Sequence, residues 1–270
     1  MKVREALAAA AARLAGISET PRLDAEVLMA HALGIGREAM LLGRGDEPAP
    51  ASFESLLERR LAHEPVAYIT GRKGFWSIEL AVGPGALIPR PDSETLIDAA
   101  LAHFGDEGPA RILDLGTGPG TLLLAALDQW PEATGLGVDA SQDALGFARR
   151  NARGRAEFRL GDWGGGIGER FDLILCNPPY VEQGAALPRD VADFEPRGAL
   201  YAGAEGLDSY RALAAQLAGL LAPGGIVCLE IGAGQDAAVA ALMAGEGFTI
   251  ESRKDLNGIV RCLVLGLDRE

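Results

Sequence analysis

The chain has 270 residues, 48% hydrophobic and 23% charged, enough for one or two domains at ~100–200 residues each and too apolar for a disordered chain. Its 36 glycines follow no repeat, which excludes a collagen-like fibre, and no apolar run reaches the ~18 residues that span a bilayer. Residues 76–270 hold 15 basic and 28 acidic side chains, whereas residues 1–75 hold ten of each, so the net charge of −13 belongs to the larger part; such a surface repels phosphate backbones and suits a basic protein partner better than a nucleic acid.

The first 15 residues are amphipathic, carry Glu5 and lack a signal-peptide block, so a cytoplasmic protein without membrane contact is expected. Three widely spaced cysteines (Cys176, Cys228, Cys262) form no CxxC, and His31, His63 and His103 form no ligand cluster. Neither a disulfide framework nor a metal site is expected.

Helical periodicity fills the first ~65 residues. One helix is expected over 3–15, and a second starts at Ser18, Thr20 and Pro21 and runs to Gly34. Shorter helices fit 37–42 and 52–63. Over 68–80 aromatic and β-branched residues appear, broken by Gly71 and Gly74, which predicts a hairpin-like connector. After a turn-rich stretch from Gly83, Pro91 and Asp92 open a helix through Ala100.

From Ala110 strands and helices alternate. Apolar runs at 111–115, 134–138, 158–160, 171–176 and 225–231 are separated by helical stretches at 121–129, 141–151, 208–221 and 235–245. Buried parallel strands with crossover helices fit this pattern. Near the end, Asn257-Gly258 between apolar runs at 249–252 and 259–265 signals a hairpin, so the last strand should run antiparallel.

Asp114-Leu-Gly-Thr-Gly-Pro-Gly120 ends the first of these strands and opens a helix. Glycines admit a close ligand, and a helix N-terminus favours a negative group such as a carboxylate. Asp139 ends the next strand, where an acid can accept both ribose hydroxyl hydrogens. Glycines at 116, 118 and 120 make GxGxG, whereas a pyrophosphate-binding turn wants GxGxxG. The loop therefore favours S-adenosylmethionine (SAM), which has no phosphate to cradle, and Asp114 suits its cationic amino-acid tail. Asp162-Trp163 closes the third strand; it offers an acceptor for the adenine amino group and a ring to cover the base, or else a cap and a surface-packed ring.

Asn177-Pro-Pro-Tyr180 follows the fourth strand. Two prolines stiffen the backbone and donate nothing, so nearby carbonyls are free to accept. Asn177 adds a side-chain oxygen and Tyr180 a flat face. The constellation suits a planar –NH2 held by its hydrogens and stacked beside its π system. A glutamine amide, adenine N6 and cytosine N4 all present that geometry.

These residues resemble the HemK/PrmC family, the protein-(glutamine-N5) methyltransferases that modify peptide-chain release factors. The resemblance also runs through Pro21-Arg-Leu-Asp-Ala-Glu26, Glu64-Pro-Val-Ala-Tyr-Ile-Thr-Gly71, Phe75-Trp76, Leu87-Ile-Pro-Arg-Pro-Asp-Ser-Glu94, Glu195-Pro-Arg197 and Gly206-Leu-Asp-Ser-Tyr-Arg211. It implies an α/β, Rossmann-like SAM-dependent methyltransferase fold over 84–270. Ahead of it stand a small N-terminal helical bundle domain over 1–66, which would dock the release factor, and the hairpin-like connector over 67–83. It implies methyl transfer to the glutamine of a Gly-Gly-Gln motif, leaving S-adenosyl-L-homocysteine; the cysteine and histidine spacing gives no metal site, and the acidic charge no direct nucleic-acid binding. By position, Gly116, Thr117, Gly118, Pro119, Gly120, Asp139, Asp162, Trp163 and Asn177 would bind the cofactor. Asn177, Pro178, Pro179 and Tyr180 would form the catalytic amide pocket. Pro119 departs from the small residue usual in such loops and removes one N–H. The rival reading from the same tetrapeptide is a nucleic-acid adenine-N6 or cytosine-N4 methyltransferase, against which the acidic charge argues.

Overall fold

The computed structural model describes residues 1–267; the last three residues of the 84–270 span lie outside them. The chain folds as two compact units, Met1–Arg72 with Leu187–Phe194, and Lys73–Ala186 with Glu195–Glu270.

The first unit is helical: α1 (Val3–Leu14), α2 (Pro21–Leu33), α3 (Arg37–Gly43), α4 (Ser52–Leu61) and α5 (Val66–Thr70). Pro21 opens α2, and Gly34 closes it in the left-handed region at φ 68°, where a side chain would be strained. Leu7, Leu14, Leu28, Met29, Met40, Phe53 and Leu57 form its core. One buried ion pair crosses that core. Arg60 Nε lies 2.8 Å from Asp24 Oδ2, and Arg60 Nη2 lies 3.4 Å from Asp190 Oδ2. Asp190 thereby ties the returning segment 187–194 to the helices. Arg60→Ala is expected to destabilise this unit by about 3 kcal/mol, because it strands a buried carboxylate. A urea midpoint equal to wild type would contradict that role.

The connector needs a correction at its start. Tyr68, Ile69 and Thr70 are helical, not extended. Pro65 accepts from the Tyr68 and Ile69 amides at 2.9 and 3.0 Å, and burial of Tyr68 and Ile69 rewards the helical turn despite their strand-like composition. The hairpin proper follows as β1 (Arg72–Phe75) and β2 (Ile78–Ala81).

The second unit continues with α6 (Glu94–Phe104), β3 (Arg111–Leu115), α7 (Thr121–Gln129), β4 (Thr134–Asp139), α8 (Gln142–Ala152), β5 (Glu157–Leu160) and β6 (Phe171–Cys176). After α9 (Arg189–Ala192), which belongs to the first unit, come α10 (Asp208–Leu220), β7 (Leu221–Glu230), α11 (Asp236–Gly245), β8 (Phe248–Lys254) and β9 (Val260–Leu267). A short 3-10 turn, Pro91–Ser93, precedes α6 where the sequence predicts helix from Pro91. The seven strands pair in the order β5-β4-β3-β6-β7-β9-β8. All pairs are parallel from β5 to β7, and β9 is antiparallel to both its neighbours. The reversed strand read from Asn257-Gly258 is present. Its turn is organised by Asp255, whose Oδ1 accepts from the Asn257 and Ile259 amides at 2.9 and 3.0 Å. Among the described residues no helix is long and apolar enough to cross a membrane.

Leu113, Leu115, Ile174, Val227 and Leu229 are buried on the central strands. The strand order reverses between β3 and β6, and in open α/β sheets ligands bind at the carboxyl ends of strands beside such a switch point.

Candidate active site

A cavity of about 460 Å³ opens at that point, within the ~300–1,000 Å³ usual for small-molecule sites. Gly116, Thr117, Gly118, Pro119, Asp139, Asp162, Trp163, Asn177 and Pro179 line it, so residues distant in sequence converge. Gly120, Pro178 and Tyr180 do not line it. Gly120 opens α7 at φ 88°, and a Cβ there would stand 2.9 Å from Leu124 Cδ1. A side chain there would have to displace Leu124, so glycine suits the tight packing of the turn against α7.

The glycine turn is fastened to β4. Gly116 and Thr117 amides donate to the Val138 carbonyl at 2.9 and 3.0 Å. The Gly118 amide donates to Asp139 Oδ2 at 2.7 Å, and the Ser141 amide to Asp139 Oδ1 at 2.8 Å. Each carboxylate oxygen retains a lone pair, so Asp139 holds the loop and can still accept from a ligand. The Trp163 ring lies over the turn: a Cβ on Gly116 would meet Trp163 Cζ3 at 3.3 Å and the Asn177 carbonyl oxygen at 3.9 Å. Trp163 itself has φ 50°, rare for a bulky residue and expected where surrounding structure holds a ring in place.

Asp114 sits beneath the turn, 1% exposed. Its Oδ2 accepts from Thr117 Oγ1 at 2.6 Å and the Leu123 amide at 3.2 Å, while its buried Oδ1 has no hydrogen-bond partner among the described residues. Burial pushes its pKa up to about 7, with Asp139 adding to the rise against the hydrogen bonds from Thr117 and Leu123. An orphaned carboxylate oxygen in a cavity wall calls for a cationic or donor group in the ligand.

On the other side of the turn, Asn177 Nδ2 donates to Ser93 Oγ at 3.1 Å. Pro178 is buried and Pro179 lines the cavity. The Tyr180 hydroxyl donates to Glu230 Oε1 at 3.3 Å, and its carbonyl accepts from Gln235 Nε2 at 3.1 Å. The Tyr180 hydroxyl is thus engaged below the turn.

Sequence reasoning leaves three supports unassigned. Ser93 lines the cavity and orients Asn177. Glu195, 4% exposed, accepts from the Ile88 amide at 3.0 Å and from Arg90 Nη2 at 2.5 Å, so it fixes the 87–91 wall. Glu230 lies under Tyr180. Of the acidic and basic residues in the Leu87–Glu94 motif, Arg90 lines the cavity, Asp92 pairs with Arg261 at 3.3 Å, and Glu94 accepts from the Trp76 amide at 2.9 Å. Cys176 is buried beside the site, and burial raises its thiol pKa well above the ordinary value, as for an inert packing residue.

Two family models match the chain: the PrmC N-terminal domain over residues 5–71 and the methyltransferase small domain over residues 93–194. A release factor glutamine methyltransferase of Rhodospirillum rubrum is 46% identical over 263 residues, covering 93% of this chain and 80% of that protein. One from Caulobacter vibrioides is 42% identical over 265 residues, covering 94% and 91%. Among solved structures, a ribosomal protein L11 methylase from Lactobacillus delbrueckii subsp. bulgaricus has a TM-score of 0.52 at 20% identity, covering 70% of this chain and 84% of that one, which speaks to the fold. Identity of this order, sustained over 93–94% of this chain and 80–91% of these relatives, places the chain in the release factor glutamine methyltransferase family.

Proposed function

We propose that the chain methylates the side-chain amide nitrogen of the glutamine in the Gly-Gly-Gln motif of peptide-chain release factors, with SAM as donor. The observation that carries this reading is the placement of Asn177 and Pro179 in the wall of the cavity that the glycine turn, Asp139 and Trp163 also line. Family membership supplies the substrate class.

The wall fits SAM by its chemistry. The unpartnered Asp114 oxygen suits the ammonium of the methionine tail. Asp139 suits the ribose hydroxyls, and Trp163 with Asp162 suits the adenine. When bound, SAM presents a methyl already activated by its sulfonium, so positioning is the main demand on the protein. With Nδ2 committed to Ser93, Asn177 has Oδ1 left to accept from the substrate amide. Pro178 and Pro179 have no N–H to compete for the same oxygens. The acceptors stabilise positive charge as it grows on a nitrogen whose lone pair is otherwise delocalised, and the amide proton leaves late. The N-terminal helical domain over 1–66 contributes docking of the release factor. The net charge of −13 favours a protein substrate over a nucleic acid, and a cytoplasmic setting follows from the substrate.

Incubation of the purified chain with SAM and unmodified release factor is expected to add one methyl to the Gly-Gly-Gln peptide, read by mass spectrometry. An unmodified peptide, or label from radioactive SAM appearing in nucleic acid instead, would overturn the assignment.

A further inference from the structure

The acidic cavity holds one cation. Among the described residues that line it, Arg90 alone is basic, against Asp114, Asp139 and Asp162. Arg90 sits in Ile88-Pro-Arg-Pro91, where prolines on both sides stiffen the backbone and remove two amides. It is extended, at φ −102° and ψ 138°, as a residue before proline prefers. The Ser93 amide donates to the Arg90 carbonyl at 3.2 Å, and Ser93 Oγ accepts from Asn177 Nδ2 at 3.1 Å. A Cβ on Gly116 would in turn lie 3.9 Å from the Asn177 carbonyl oxygen. This series of contacts links Arg90 to the end of the cavity where the glycine turn begins, above Asp114.

Glu195 holds the cation there. Its Oε2 accepts from the Ile88 amide at 3.0 Å and its Oε1 from Arg90 Nη2 at 2.5 Å. The residues that follow it, Pro196, Gly198 and Ala199, line the cavity as well, so one carboxylate joins two walls. The Glu195 side chain is 1% exposed, whereas that of Arg90 is 33% exposed. For stability alone an apolar side chain would serve the Glu195 position as well as a buried carboxylate. What the carboxylate adds is a guanidinium fixed in orientation. Glu195 engages Nη2, and a guanidinium carries five N–H groups in a rigid fork, so donors remain for a ligand.

SAM contains one anion, the carboxylate of its methionine tail. The glycine turn offers that group few donors. The Gly116 and Thr117 amides are engaged by the Val138 carbonyl, Gly118 by Asp139 and Gly120 by the Thr117 carbonyl, and Pro119 has no N–H. The ammonium on the same carbon has its counterpart in Asp114 Oδ1, which has no hydrogen-bond partner among the described residues. A guanidinium matches a carboxylate through parallel N–H bonds, whereas the amide of the methyl acceptor is neutral and calls for no such charge.

We propose that Arg90 pairs with the carboxylate of the SAM methionine tail, and that Glu195 is the positioning residue that holds Arg90 in place for it. This rests on the reading of the cavity as a SAM site.

The test is calorimetry with SAM and with decarboxylated SAM, which keeps the sulfonium and the amine. Three aspartates alone would favour the decarboxylated, more cationic ligand. Wild type is expected to prefer SAM by about 10²-fold, the scale of a charge-assisted pair. Arg90→Ala should weaken SAM by about the same factor and leave the decarboxylated ligand within a few-fold of wild type, so the preference is lost. Arg90→Lys keeps the charge without the fork and should restore part of it. Glu195→Gln should reduce the preference about 10-fold in the wild-type background and leave it unchanged in the Arg90→Ala background, a non-additivity that a merely structural role would not give. If Arg90→Ala fails to fold by circular dichroism, the double variant, which strands no buried carboxylate, takes its place. Wild type that binds no SAM at all removes the SAM-site reading and this pairing with it. Wild type that binds SAM without preferring it over the decarboxylated ligand overturns the pairing alone. So does an Arg90→Ala variant that loses both ligands equally, or one that keeps SAM affinity and raises only the KM for release factor, which would assign Arg90 to the peptide.

Discussion

Asn177→Ala should reduce single-turnover methyl transfer by about 10²–10³-fold, the range seen when one preorganised polar contact to developing charge is removed. The side chain lines the cavity and, among the described residues, hydrogen-bonds to Ser93 through Nδ2, so truncation deletes the Oδ1 acceptor and leaves the glycine turn in place. SAM affinity should change far less than the rate, because Asp114, Asp139 and Trp163 occupy other walls. Asn177→Asp should fall between the two. Its carboxylate accepts, but Ser93 must then reverse its hydroxyl, and a full charge binds the sulfonium ground state as well as the transition state. A rate for Asn177→Ala within a few-fold of wild type, measured with SAM prebound, would remove the amide-pocket mechanism.

The parts of this site that could be read in the sequence are those with a local signature. The Asp114–Gly120 turn, Asp139 at the next strand end and the Asn177–Tyr180 turn each follow an apolar run, so alternation of strands and helices was enough to bring them to one edge of the sheet. The reversed β9 was legible for the same reason, since Asn257-Gly258 marks its own turn. The contacts that tune the site have no such mark. Ser93 reaches Asn177 across 84 positions, and Glu195 reaches Ile88 across 107. Nothing periodic announces either pairing. Arg60 and Asp190 likewise meet across 130 positions, which is why 187–194 reads as part of the catalytic domain in sequence and joins the helical unit in space. At 68–70 tertiary burial overrode a strand-like composition, the usual limit of β-propensity as a guide.

Asp139→Ala is expected to weaken SAM binding by about 10²-fold, from loss of charge-assisted hydrogen bonds worth ~1.5–3 kcal/mol each. Two effects combine in that number. One is loss of the acceptor proposed for the ribose hydroxyls. The other is release of the loop, because Asp139 holds the Gly118 amide at 2.7 Å and the Ser141 amide at 2.8 Å, and Ser141 in turn caps α8 through the Ala144 amide at 3.2 Å. Asp139→Asn separates them. Its single oxygen can serve one of the two amides, and its NH2 faces the other donor, so the loop loosens while part of the ribose contact survives. Calorimetry should therefore rank wild type, Asp139→Asn and Asp139→Ala in order of falling affinity. The rate at saturating SAM should drop much less than affinity, since Asn177 and Ser93 are untouched. Unchanged SAM affinity in Asp139→Ala would mean that the carboxylate serves the loop alone, and the cofactor would have to be held by Asp114, Trp163 and the amides of the turn.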